Sequence, residues 1–232
     1  MLVHCSLAHA GAWDGLVRAA GWDDVLRVEL PGHGRAPDWD GGPYLAQARG
    51  LVLKALRDGP AHLVGHSFGG VAALAAALEL PGVVSRLSLI EPVLFAAAAP
   101  EQRAAGDAAF APFAEAWRAG DRESAARAFL SVWGGGMPWD AMPEPVRRYA
   151  VDRIHLIPAA DADLNADREG LIPRLGSLAV PVDLIGGSRS PAVAGIILDE
   201  LAERLPDARR AVVEGAGHMA PISHSQEVAG FL

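Results

Sequence analysis

With 232 residues, 51% of them hydrophobic and 21% charged, the chain is long and apolar enough to bury the core of one globular domain. Its formal charge of −8, without a dense Lys/Arg cluster, argues against nucleic acid or an anionic membrane as the main partner. Cys5 is the single cysteine, which excludes an intrachain disulfide framework and a cysteine zinc cage, and fits a reducing, cytoplasmic compartment.

The first residues, Met1 to Ser6, carry no basic region followed by a long apolar run, and no later run reaches membrane-spanning length. The chain is therefore expected to be soluble and unexported. Short apolar, β-branched runs at 2–6, 24–30, 62–66, 86–91, 182–186 and 209–214 read as strands. Helical patterns at 12–20, 44–56, 68–80, 192–205 and 223–232 alternate with them, which predicts an α/β fold with a mostly parallel sheet flanked by helices. Leu30-Pro31-Gly32-His33-Gly34 is a breaker cluster that ends the second strand in a loop. From 95 to 175 the alternation stops and Ala, Arg and Trp dominate with helical spacing, so this stretch is expected to be a helical insertion capping a core built from 1–94 and 176–232. Gly134-Gly135-Gly136 marks a break inside it.

The stretch Gly65-His66-Ser67-Phe68-Gly69-Gly70 sits between a strand pattern and the small-residue run Val71 to Leu78. A tight strand-to-helix turn projects its central side chain from the carboxyl edge of the sheet, and the flanking glycines remove Cβ atoms that would clash there. Ser67 is thus a candidate nucleophile, with the start of the next helix aimed at any negative charge that forms beside it. A serine needs a base, and His218, in the glycine-rich loop Gly215-Ala216-Gly217-His218 after the last strand pattern, stands where one could swing over the sheet edge. His62, His66, His33 and His155 are set aside as neighbours of the nucleophile strand, a turn residue and a residue of the insertion, and His224 is expected to cap the last helix.

Taken together, Leu2-Val3-His4 with Gly11-Ala12-Trp13, Gly65 to Gly70, and Gly215 to His218 resemble the α/β-hydrolase superfamily, as does the loop Leu30 to Arg35. The resemblance implies that Ser67 attacks an acyl carbon, that His218 relays its proton, and that the backbone N–H groups of Phe68 and Ser6 form an oxyanion hole. His4, beside that first loop, is expected to contact substrate. Two positions depart from the family pattern: Cys5 replaces the usual glycine after His4, and Ser190 occupies the usual acid position after the penultimate strand. Some members place the acid at the end of the strand after the nucleophile helix, where this chain has Glu91. Glu91 pairing instead with Arg86 or Arg189, Asp183 serving as the acid, and a site without any acid are the competing readings. Cys5 is read as a small apolar packing residue.

The insertion would supply an apolar pocket, with Trp133, Met137 and Trp139 as expected wall residues, suited to a small neutral ester, thioester or lactone. No His-Glu-x-x-His spacing occurs and no Gly-x-Gly-x-x-Gly follows a strand, so neither a metal nor a cofactor is expected. Cofactor-free C–C bond hydrolysis or lysis on the same fold, and a ligand-binding member with weak turnover, are the alternatives to an esterase. The first strand stands too near the start for the amino-terminal hairpin common in the family, which is expected to leave a sheet edge open for a homodimer.

Overall fold

A computed structural model describes residues 1–56, 60–80 and 82–232. Among them, six parallel strands form one sheet in the order β2-β1-β3-β4-β5-β6: β1 Leu2–Val3, β2 Arg27–Val28, β3 Ala61–His66, β4 Val84–Ile90, β5 Val182–Gly187 and β6 Ala208–Val213. The helices are α1 Asp14–Ala20, α2 Tyr44–Ala55, α3 Phe68–Glu79, α4 Pro100–Arg118, α5 Arg122–Trp133, α6 Glu144–Arg153, α7 Leu156–Ala159, α8 Asp161–Ala166, α9 Ala192–Arg204, α10 Ala220–Ser223 and α11 Ser225–Ala229.

Adjacent residues along the central strands feed opposite faces, as the pleat requires. Leu63, Leu89 and Leu184 join the larger core with the buried residues of α2, α3 and α9, whereas Leu2, Val64, Ile90 and Ile185 join a second core with Trp13, Leu16, Ala220 and Val228. A sheet covered on both faces is the arrangement a parallel sheet needs. Helix α3 is buried from Phe68 to Leu78, and its alanines pair strong helix propensity with small volume, so the helix lies close to the sheet.

Two strand expectations were too long. Only Leu2 and Val3 of the first run pair, with Arg27 and Val28, because the chain then leaves the sheet into loops whose amides bond to side chains. β1 is also interior, flanked by β2 and β3, so the edge on that side is the two-residue β2 rather than the first strand. Helices α4 to α8 intervene between β4 and β5 and hold a small core of their own, with Phe113, Trp139, Met142 and Ile154 buried in it. None of the described helices is long and apolar enough to cross a membrane.

Candidate active site

β3 runs straight into α3 with Ser67 between them, at φ 56° and ψ −123°. A non-glycine residue in the left-handed half of the map is strained, and the surroundings must hold it there. The Ser67 N–H donates to the Ile90 carbonyl at 2.9 Å, and the Ser67 carbonyl accepts from Gly70 N–H at 2.9 Å. The glycine spacing has a direct steric cause. A Cβ on Gly65 would lie 2.5 Å from the Gly69 carbonyl oxygen, and one on Gly69 would lie 2.2 Å from the His4 carbonyl oxygen.

The structure brings Ser67, His218 and Glu91 together from the ends of β3, β6 and β4. Ser67 Oγ donates to His218 Nε2 at 3.0 Å, and His218 Nδ1–H donates to Glu91 Oε2 at 2.7 Å. An ionised carboxylate can only accept, so the proton of the neutral imidazole sits on Nδ1 and the Nε2 lone pair faces the serine. All three side chains are buried. Glu91, itself at φ 47°, accepts two further bonds on Oε1, from Gly187 N–H at 2.6 Å and from the Ser190 hydroxyl. Burial pushes its carboxyl up, but the bonds from His218, Gly187 and Ser190 outweigh that and leave it below the usual glutamate range. Ser190, at the position where the family resemblance led one to look for an acid, is thus a donor to the carboxylate. Two of the competing candidates are engaged with each other: Arg86 bonds Asp183 at 2.6 Å, and Arg86 also bonds the carbonyls of Phe231 and Leu232.

Two residues set aside in the sequence belong to this arrangement. His66 Nε2–H donates to the His218 carbonyl at 2.8 Å, fixing the loop that carries the imidazole; burial drives His66 down to about 3, so it is neutral. His33 accepts the Leu7 N–H on Nε2 at 3.0 Å. Adjacency to Ser67, the ground on which His66 was set aside, is the one signal that could have brought it in, whereas nothing in the sequence pairs position 33 with position 7. His224 corrects another expectation: it stands at the start of α11 without a side-chain capping bond, its Nδ1 lying 2.8 Å from the Ser223 hydroxyl.

The first loop also needs correction. His4 does not line the cavity above Ser67. It is buried, with Nδ1–H donating to the Cys5 carbonyl at 2.7 Å and Nε2 accepting the Leu30 N–H at 3.1 Å, so both nitrogens are spent on backbone. Cys5 is buried and its thiol is pushed up to about 12 by burial, which makes it an inert packing group. Ser6 does face the cavity alongside Ser67.

That cavity measures about 560 Å³ and is walled by Phe95, Phe110, Phe129, Trp133, Ile157 and Val193 among others. Trp133 stands on it as expected and packs edge-on against His218, ring centroids 4.7 Å apart. Met137 and Trp139 do not line it: Met137 is 54% exposed, and Trp139 is buried in the core of the insertion. Phe110 and Phe129 were the unread wall residues; they lie on α4 and α5, whose shared interface meets the cavity.

The model of the alpha/beta hydrolase family matches residues 1–231. A pimeloyl-[acyl-carrier protein] methyl ester esterase of Methylococcus capsulatus is 31% identical over 99% of this chain and 91% of its own length. Among solved structures, the enol-lactonase of Burkholderia xenovorans LB400 aligns with a TM-score of 0.74 at 25% identity, over 99% of this chain and 88% of that one. MenH of S. aureus aligns with a TM-score of 0.75 at 19% identity, over 99% and 90% of the two chains, a likeness of fold alone. With its nucleophile-type turn, its parallel sheet and an esterase relative matched over nearly its whole length, this chain is an α/β-fold hydrolase, a member of the alpha/beta hydrolase family.

Proposed function

We propose that the protein is a serine hydrolase that cleaves a small, largely apolar ester, thioester or lactone through an acyl-enzyme on Ser67. The observation that carries this reading is the unbroken hydrogen-bonded line from Glu91 through His218 to the Ser67 hydroxyl. The Ser67 oxygen attacks the ester carbonyl carbon while its proton passes to His218 Nε2. Glu91 holds the ring in the reactive tautomer and stabilises the imidazolium. Negative charge on the former carbonyl oxygen is met by the N–H groups of Phe68 and Ser6, neither of which has a protein acceptor among the described residues. Collapse expels the alcohol with the proton from His218, and water, activated by the same imidazole, then releases the acid and restores the serine.

Helices α4 to α8 serve as the cap over the serine, and the largely apolar walls they share with the sheet side, with Arg103, Asp107 and Asp161 also on the lining, favour an acyl group that is mostly apolar. The relative from Methylococcus capsulatus is named for a methyl ester, and the neighbour from Burkholderia for a lactone, both acyl–oxygen bonds of the class proposed. A small-molecule substrate and a cytoplasmic setting, on the strength of the lone cysteine, complete the reading. The test is initial-rate hydrolysis of p-nitrophenyl acetate and butyrate by the wild type and by Ser67→Ala. The wild type is expected to turn both over with a burst of one p-nitrophenol per active site, and Ser67→Ala to match the buffer blank. Equal rates for the two proteins would overturn the proposal.

A further inference from the structure

In the loop from Cys5 to Ala10, three backbone donors have protein acceptors. Ala8 N–H bonds the Cys5 carbonyl at 3.3 Å, Leu7 N–H bonds His33 Nε2 at 3.0 Å, and Ala10 N–H bonds Glu29 Oε1 at 3.2 Å. The N–H of Ser6, a residue that lines the same cavity as Ser67, has no acceptor among the described residues. It lies in the Cys5–Ser6 peptide plane, and the Ser6–Leu7 plane, joined to that one at the Ser6 Cα, limits how far it can turn. In a trans peptide the C=O and N–H point opposite ways, so a plane held at its oxygen has its N–H aimed as well. The Cys5–Ser6 plane is held at the Cys5 carbonyl by His4 Nδ1–H at 2.7 Å. The Ser6–Leu7 plane is held at the Leu7 N–H by His33.

The two histidines are crossed. His4, on the first loop, accepts from Leu30 at the start of the second loop, and His33, on the second loop, accepts from Leu7 on the first, with the rings edge to face at 5.2 Å. His33 Nδ1–H donates to the Pro31 carbonyl at 3.0 Å, which fixes the tautomer and leaves Nε2 as an acceptor. Leu7 stands at φ 59°, a strained conformation for a leucine that needs an outside hold. His33 supplies that hold at the residue adjoining the free amide.

Resting on the reading of Ser67 as nucleophile, we propose that His33 is a positioning residue for the reaction: by capturing the Leu7 amide it keeps the Ser6 N–H aimed at the oxyanion. His33 touches no reacting atom. It acts on the Ser6–Leu7 plane and, through the Ser6 Cα, on the neighbouring plane that carries the Ser6 N–H; its effect belongs to the transition state, where the carbonyl oxygen gains charge, rather than to substrate binding.

Two variants separate this role from general packing. His33→Asn keeps a donor near the Pro31 carbonyl but is too short to accept from Leu7; His33→Gln reaches the position of Nε2 with an acceptor. Both are checked for folding by thermal melting, then assayed on p-nitrophenyl butyrate and titrated with an alkyl trifluoromethyl ketone, whose serine adduct bears an oxyanion. His33→Asn is expected to lose about 10- to 100-fold in kcat with KM within about twofold, and to lose ketone affinity in the same proportion, while His33→Gln recovers most of both. If His33→Asn lowers kcat without weakening the ketone, raises KM alone, or matches the wild type, the positioning role is wrong. If the wild type itself forms no adduct and behaves as Ser67→Ala does, the nucleophile reading fails and this proposal falls with it.

Discussion

Glu91 accepts three bonds on two oxygens, and its being a carboxylate decides which nitrogen of His218 carries the proton. An amide in its place offers one acceptor and one donor. In Glu91→Gln the Gly187 N–H and the Ser190 hydroxyl claim the carbonyl oxygen, which leaves the NH₂ facing His218 Nδ1. The ring must then carry its proton on Nε2, where it can no longer accept from Ser67. The expected outcome is a fall in kcat of about 10³- to 10⁴-fold with little change in KM, measured on p-nitrophenyl butyrate with the melting temperature followed in parallel. A variant within tenfold of the wild type would show that the carboxylate does not set the tautomer. The three residues themselves were legible because each sits in a local string with a steric or chemical signature: glycines around Ser67, a glycine loop at His218, and an acid closing the apolar strand at Glu91. That Ser190 donates to Glu91 was not legible, since nothing local to position 190 reports a carboxylate 99 residues away.

At the scale of elements, the turn between β3 and α3 works because the helix start is pressed against the end of β1. Gly69 is the contact: the atoms nearest its missing Cβ are the His4 and Val3 carbonyl oxygens, at 2.2 and 2.4 Å, and both are backbone. Neither can rotate away, so Gly69→Ala must push α3 off the sheet or displace the loop that carries Ser6. We expect a loss of about 3 kcal/mol or more in urea unfolding and esterase activity at the blank even in the folded fraction. An alanine variant with wild-type stability would mean that the helix and the first loop are not in this contact. Strands β3 to β6 were readable to within two residues because each carries a short apolar stretch near a turn, Leu63-Val64, Leu89-Ile90, Leu184-Ile185 and Val212-Val213. β1 and β2 were overread because Cys5, Leu26 and Leu30 continue their apolar runs, while the loop amides that follow them bond the side chains of His4, His33 and Glu29. In the insertion, aromatic spacing identified helices but not their targets: Trp133 faces the cavity while Trp139, six residues on, fills the insertion's core. Sequence period carries which face is buried, not against what.

For the molecule as a whole, the histidines that hold the site together make it acid-sensitive. His4, His33 and His66 are nine-tenths or more hidden, and burial drives them down to about 4, 3 and 3 respectively. All three act as neutral rings bonded to backbone; on protonation His4 and His33 would each lose the nitrogen that accepts a backbone N–H, and His66, which only donates, would bring a charge into the core. In the unfolded chain they titrate near the ordinary histidine value of about 6.5. Below that pH the unfolded state therefore binds protons that the native state refuses, so stability falls as pH falls, throughout the window from about 6.5 down to the native values. Each buried ring contributes up to about 1.4 kcal/mol per pH unit, and the three together about 4, against a total stability on the order of 5–15 kcal/mol. Glu91, held below its ordinary range, adds to the loss at the acid end, since a depressed carboxylate stabilises only above its folded value. Glu169, raised by burial, works the other way, but it is one partly buried group against three. The melting temperature is therefore expected to be highest at or above pH 7, to drop steeply between pH 6.5 and 5, and to take esterase activity with it. Calorimetric scans at pH 7.5, 6 and 5 decide the matter. A flat profile would mean that the crossed pair His4–His33 and the His66 bond accept a proton without opening, and a ring that does so cannot be the acceptor that aligns the Ser6 amide.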